Sequence, residues 1–186
     1  MRFAIRPFLF LSLALVSALD AGLAQAKACQ KPIYLTFDTG NMAVAETVAA
    51  ILNRQQVKAT FFLANEKTFR GDYSLDDSWK PFWQDRVKEG HQFGSHTYDH
   101  VYFVKDLSAN SAGDARVQMK PQFGAYANQV KSMNGAEVCA EINRVNTRFQ
   151  EISNRPLDPI WRAAGGKTSP RLLAMAEQCG YRHIGW

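Results

Sequence analysis

Residues 33–40, Ile-Tyr-Leu-Thr-Phe-Asp-Thr-Gly (IYLTFDTG), decide how the rest of this 186-residue chain is read. Apolar, β-branched and aromatic residues fill the first five positions, the composition of a strand packed on both faces. The run then breaks into a carboxylate, a hydroxyl and a glycine. The pattern predicts a strand over 33–37 whose polar tip is Asp38, Thr39 and Gly40.

Outward from this strand, apolar strands and amphipathic helices alternate. A helix is predicted over 43–54, with Val44, Val48, Ile51 and Leu52 at helical spacing. A strand follows over 57–63 (VKATFFL), then a helix over 79–88 closed by Gly90. Trp79, Trp83 and Phe82 read as core residues of that helix. A short strand is predicted over 91–94, with His91 at its edge. Residues 106–135, rich in Ser, Asn, Gln and Gly, read as an irregular insertion or lid. A helix over 136–152, a strand over 159–161, a helix over 170–178 and a last strand over 181–186 complete the order. This alternation predicts an α/β fold with a parallel sheet, open or barrel-shaped. In such folds the chemistry gathers at the carboxyl ends of the strands.

The flanks and the composition narrow the class. Arg2 and Arg6 precede an apolar run from Phe8 to Leu19, and Ala24-Gln25-Ala26 follows. This reads as a signal peptide over 1–26, too short to span a bilayer, with residues 27–186 as one exported domain. A secreted or periplasmic location is therefore expected, with no membrane attachment after cleavage. The net charge of +5 is scattered, and no basic run marks a nucleic-acid partner. Three cysteines, Cys29, Cys139 and Cys179, allow at most one internal disulfide, and buried free cysteines are an equal alternative.

Three strand tips carry the polar residues that a site needs. The first holds Asp38. The second, Ser95-His96-Thr97-Tyr98-Asp99-His100, places two of the four histidines four residues apart. On a helical turn that spacing aims both imidazoles at one ion, and imidazole suits zinc, cobalt or nickel. Asp99 should point elsewhere. The third, Arg162 to Gly166, offers a guanidinium able to hold Asp38 through a bidentate pair.

The segments TFDTG, GHQFGSHTYDH and WRAAGG resemble the first three motifs of the polysaccharide deacetylases, carbohydrate esterase family four. The likeness extends over about residues 31–186. It implies a distorted (β/α) barrel, truncated at the C-terminus of this chain, and hydrolysis of acetyl groups on N-acetylated amino-sugar polymers. It implies a divalent metal, zinc foremost, with cobalt or nickel acceptable. Asp38 would be the general base, His96 and His100 metal ligands, and Arg162 the residue orienting the base. The family's second aspartate, a metal ligand, is replaced by Thr39, and the proline of the third motif by Ala164. Water at the vacant place, Asp38 moving onto the metal, or weak metal binding are the outcomes open to such a site. Losing the proline is expected to loosen the third loop. Thr39, Tyr98 and Gly166 are the expected substrate contacts, with an oxyanion-binding N–H near Tyr98 or in the loop after it. The family's general acid is expected beyond Trp186, so little turnover is expected of this chain alone. The partner is an acetylated polysaccharide or cell-wall glycan. The alternative is a glycan-binding relative that lost its metal with the ligand at position 39.

Overall fold

A computed structural model describes residues 31–109 and 113–186. The predicted signal segment 1–26 and Cys29 lie outside the described residues. The fold occupies Ile33–Trp186. Among the described residues no helix is long and apolar enough to cross a membrane.

The central sheet has five parallel strands. β1 (Thr36–Asp38), β2 (Thr60–Leu63), β3 (Gln92–Ser95), β7 (Ile160–Trp161) and β8 (Arg182–His183) lie side by side in that order. Their ladders run Phe37 to Phe61, Phe61 to Phe93, Ser95 to Trp161 and Trp161 to His183. Every β2 side chain from Phe61 to Leu63 is buried, as a strand with a neighbour on each edge and cover on both faces requires. The ladders begin later than the apolar runs suggest. Ile33, Tyr34 and Leu35 are exposed and precede β1.

Helices α1 (Ala45–Arg54), α2 (Lys80–Lys88) and α3 (Gly135–Ser153) flank the first three strands, and α4 (Pro170–Gln178) follows β7. A 3₁₀ turn over Asp77–Trp79 leads into α2. The predicted α1 stripe is rotated. The helix begins at Ala45, so Val44 caps it and is exposed, as is Ile51, while Ala49 and Leu52 are buried. A capping box starts α3: Glu137 N–H donates to Asn134 Oδ1 at 2.9 Å and Asn134 N–H to Glu137 Oε2 at 2.8 Å. At the start of α4, Ser169 Oγ accepts from Leu172 N–H, ahead of Pro170 at the first helical position. A disulfide joins Cys139 in α3 to Cys179 just past α4.

The stretch expected to be irregular is a second sheet. β4 (Val101–Leu107), β5 (Arg116–Pro121) and β6 (Lys131–Met133) are antiparallel, in the order β4-β5-β6. β5 alternates buried Val117, Met119 and Pro121 with half-buried neighbours, a period-two signal too short to stand out among the polar residues around it. The two sheets serve two cores. Phe61, Trp79, Trp83, Phe93 and Phe149 centre the first, beneath α1–α3. Val101, Val117, Met119, Ile142, Trp161 and Leu172 centre the second, beneath the antiparallel sheet.

Gly94 in β3 is closed in by both neighbouring strands. A Cβ there would lie 2.7 Å from Phe62 and 2.9 Å from Ile160. Gly94→Ala should therefore destabilise the fold by about 1–3 kcal/mol through overpacking, read as a lowered urea midpoint with an unchanged slope.

Candidate active site

The tips of β1, β3 and β7 converge. Asp38 ends β1, and the residue following β7 is Arg162, almost wholly buried. Arg162 Nη1 donates to Asp38 Oδ1 at 2.8 Å and to Thr36 Oγ1 at 3.0 Å. Its Nε donates to the Ile184 carbonyl and its Nη2 to the Gly185 carbonyl, at 3.1 and 3.0 Å. The guanidinium stacks on Phe62 at 4.1 Å. The expected bidentate clamp on Asp38 is thus a single N–H, because the rest of the fork serves β1 and the segment after β8. Asp38 Oδ2 is left free to face His96 Nε2 at 3.7 Å.

His96 follows β3 directly, its N–H donating to the Leu63 carbonyl at 2.7 Å. Its Nδ1–H donates to the Arg162 carbonyl at 2.9 Å. A carbonyl only accepts, so the lone pair lies on Nε2, toward Asp38. His100 has the same arrangement with a different partner: its Nδ1–H donates to Gln122 Oε1 at 2.6 Å. The two rings are 4.8 Å apart. The helical turn expected to join them is instead a tight turn. His100 N–H donates to the Thr97 carbonyl, and both Thr97 (φ 65°) and His100 (φ 48°) are left-handed. Strain of this kind in non-glycine residues persists only where the surroundings hold it. Here Thr97 Oγ1 holds it, accepting from Val101 N–H at 2.7 Å and donating to the His96 carbonyl at 2.5 Å.

Burial sets the protonation of the imidazoles. It drives His96 down to about 4 from 6.5, against the pull of Asp38, and it lowers His100 as well. Both rings are therefore neutral near pH 7. Two neutral imidazoles with Nδ1 anchored on oxygen suit a divalent cation at their Nε2 atoms. Among the described residues no three His, Cys, Asp or Glu side chains stand as a complete metal cage.

Thr39 is turned to another task. Its hydroxyl donates to Glu66 Oε1 at 2.9 Å and accepts from Ala64 N–H at 2.8 Å. Glu66 lies just past β2, buried, its backbone fastened to Ser74. Burial raises its carboxyl to about 7; the Thr39 hydrogen bond opposes this and the Asp38 charge adds to it.

Tyr98, expected at the substrate, packs beneath Arg144 of α3 at 4.1 Å and against the first core. The oxyanion donor expected near it is also used up. Tyr98 N–H donates to the Glu141 carbonyl at 3.2 Å and Asp99 N–H to the Glu141 carboxylate at 2.5 Å. Asp99 points away from the histidines, pairing with Arg144 at 3.0 Å. The loop that the loss of proline is expected to loosen is anchored at Ala164, which is fully buried and bridges to Tyr102, whose ring would lie 3.0 Å from any Cβ at Gly165. Gly166 is exposed at φ 72°, and a Cβ there would meet the Trp186 ring at 2.9 Å. His91 is a buried strand-edge residue accepting from Ala59 N–H, and Trp79 and Trp83 are core.

Sequence reasoning passed over Glu66 and Gln122. Glu66 lies three residues past β2, behind Asn65, so the rule that singles out the polar residue ending a strand stops one residue short of it. Gln122 carries no local signal, since only the pairing of β4 with β5 sets it opposite His100.

Comparison with known proteins places this geometry. A family model described as polysaccharide deacetylase matches residues 25–184. An uncharacterized 30.6 kDa protein of Geobacillus stearothermophilus is 29% identical over 84% of this chain and 46% of its own length. A chitin disaccharide deacetylase of Vibrio alginolyticus is 31% identical over 61% of this chain and 28% of its own. Among solved structures, the chitin deacetylase of Colletotrichum lindemuthianum superposes with a TM-score of 0.58 at 19% identity. That match covers 84% of this chain and 56% of the other. The chain thus spans about half or less of the curated relatives' lengths.

The shifted groups impose opposite pH dependences on the metal-free protein. His96, lowered from 6.5 to about 4, contributes stability that is full above 6.5 and lost as pH falls through 4. Glu66, raised from 4.5 to about 7, contributes stability that is full below 4.5 and lost as pH rises through 7. Urea midpoints measured across this range should fall less steeply on the acid side in His96→Gln and less steeply toward neutral pH in Glu66→Gln.

Proposed function

The chain belongs to the polysaccharide deacetylase family, and from that premise we propose that it is a metal-dependent hydrolase removing acetyl groups from N-acetylated amino-sugar polymers. The observation that carries this reading is the meeting of Asp38, His96 and His100 at adjoining strand tips, with Arg162 fixing the carboxylate. His96 and His100 would hold the ion through Nε2, and zinc is the first choice, with cobalt or nickel acceptable. When bound, the ion supplies Lewis acidity toward the acetyl carbonyl and the attacking water.

The remaining work falls to the chain's own side chains. Asp38 accepts the proton of the attacking water at Oδ2, the oxygen that Arg162 leaves free. Arg162 keeps Asp38 aimed toward the imidazoles. Burial keeps both imidazoles unprotonated, so protons do not compete for Nε2 near neutral pH. Gly166, exposed beside Trp186, faces the substrate. The apolar N-terminal segment would export the domain to a secreted or periplasmic location, where a cell-wall glycan is within reach.

One observation favours a second reading, a glycan-binding relative with impaired catalysis. The Thr39 hydroxyl is committed to Glu66 and Ala64 and brings no charge to the imidazoles.

Titration of the purified protein with zinc, followed by incubation with acetylated chito-oligomers, separates the two. On the hydrolase reading the protein binds zinc, and His96→Ala or His100→Ala weakens binding at least tenfold, about 1.4 kcal/mol. The slow acetate release expected of the unaltered protein vanishes in Asp38→Asn, which still binds zinc. Oligomer binding without acetate release would establish the second reading, and absence of zinc binding would overturn the metal enzyme.

A further inference from the structure

The two histidines are oriented by partners of different kinds. The Nδ1–H of His96 meets a backbone carbonyl, that of Arg162, which cannot be turned round. The partner of His100 is a side-chain amide that presents oxygen on one side and N–H₂ on the other. The amide oxygen of Gln122 receives two donors at once: Nδ1–H of His100 at 2.6 Å and the hydroxyl of Tyr102 at 3.0 Å. The Tyr102 ring packs edge-on against His100 at 4.9 Å.

The antiparallel sheet sets this meeting. Val101 pairs with Pro121 and Tyr102 with Lys120, so the residue after β5 falls opposite the residue before β4. The Gln122 N–H donates to the carbonyls of Asp99 and His100, at 3.0 and 3.3 Å, and fixes its backbone there. Were the amide reversed, its N–H₂ would face Nδ1. The ring proton of His100 would then move to Nε2, the atom a cation needs.

We propose that Gln122 is the positioning residue that selects the metal-binding tautomer of His100, and that the β4–β6 sheet delivers it. This rests on the metal-dependent reading above. A hydrogen-bond partner on the far nitrogen of a ligating histidine is worth about 10–100-fold in metal affinity. Gln122 acts through His100.

Imidazole nitrogen NMR of isotope-labelled, metal-free protein at neutral pH reads each tautomer directly, and competition with a chromophoric chelator reads zinc affinity. In the unaltered protein both histidines should carry the proton on Nδ1. In Gln122→Ala, His96 should be unchanged while His100 shifts toward the Nε2–H form, and zinc should bind about 10–100-fold more weakly. Gln122→Glu, which keeps an acceptor, should restore the Nδ1–H form and the affinity. An unchanged His100 tautomer or unchanged zinc affinity in Gln122→Ala would overturn the proposal. So would a simultaneous change at both histidines that glutamate fails to rescue, the mark of a merely structural role. If the unaltered protein binds no zinc, the hydrolase reading fails, and the His100 tautomer in Gln122→Ala still decides whether Gln122 sets it.

Discussion

The buried guanidinium of Arg162 ties the strand tips together. β1 and β8 are the two edges of the parallel sheet, with no ladder between them among the described residues. Arg162 spans the gap, donating to Thr36 and Asp38 on one side and to the Ile184 and Gly185 carbonyls on the other. A buried cation is tolerable only when its donors are satisfied and its charge is met. The planar five-donor fork of arginine meets that condition in several directions at once, and lysine cannot. The Phe62 and Trp186 rings lie against it, at 4.1 and 5.1 Å. Because its backbone carbonyl also accepts from His96, one residue aligns the carboxylate and the first imidazole together.

Burial then divides the labour among the titratable groups. The imidazoles lose the competition for protons because charging them would place cations in a poorly solvated pocket. The same burial has the opposite sign at Glu66, which holds its proton to about 7 beside the partly exposed Asp38. Two carboxyl groups at or just past the ends of adjacent strands thus sit in different surroundings, one half-exposed and held by Arg162, the other buried and held by Thr39. The substitution at position 39 belongs to this arrangement. Its hydroxyl supplies the hydrogen bond that a buried carboxyl beside Asp38 needs, which a second aspartate there would have opposed by charge.

Much of the architecture was legible locally. Apolar runs of strand composition alternating with 3.6-period helices announce a parallel sheet, and the polar residue ending each run marks its functional edge. That reasoning reached Asp38, His96, His100 and Arg162 without a structure. It failed where the outcome depended on a distant partner. The strand at Val101–Leu107 was passed over although Val101 to Val104 has strand composition, and its partner Arg116–Pro121 is too polar to stand out alone. Tyr98 was misread because its neighbours in sequence are site residues, while its ring belongs to α3 through Arg144.

The order of strands and helices, and the identity of the residues at their tips, were determined by the sequence itself, since both follow from local periodicity and side-chain type. Which way each tip residue faces was decided only by the tertiary structure. The Arg162 fork is shared among four acceptors, Thr39 is drawn to Glu66, and Gln122 is carried to His100 by an antiparallel pairing. Each of these depends on groups many residues apart in the chain, whose proximity no local pattern encodes.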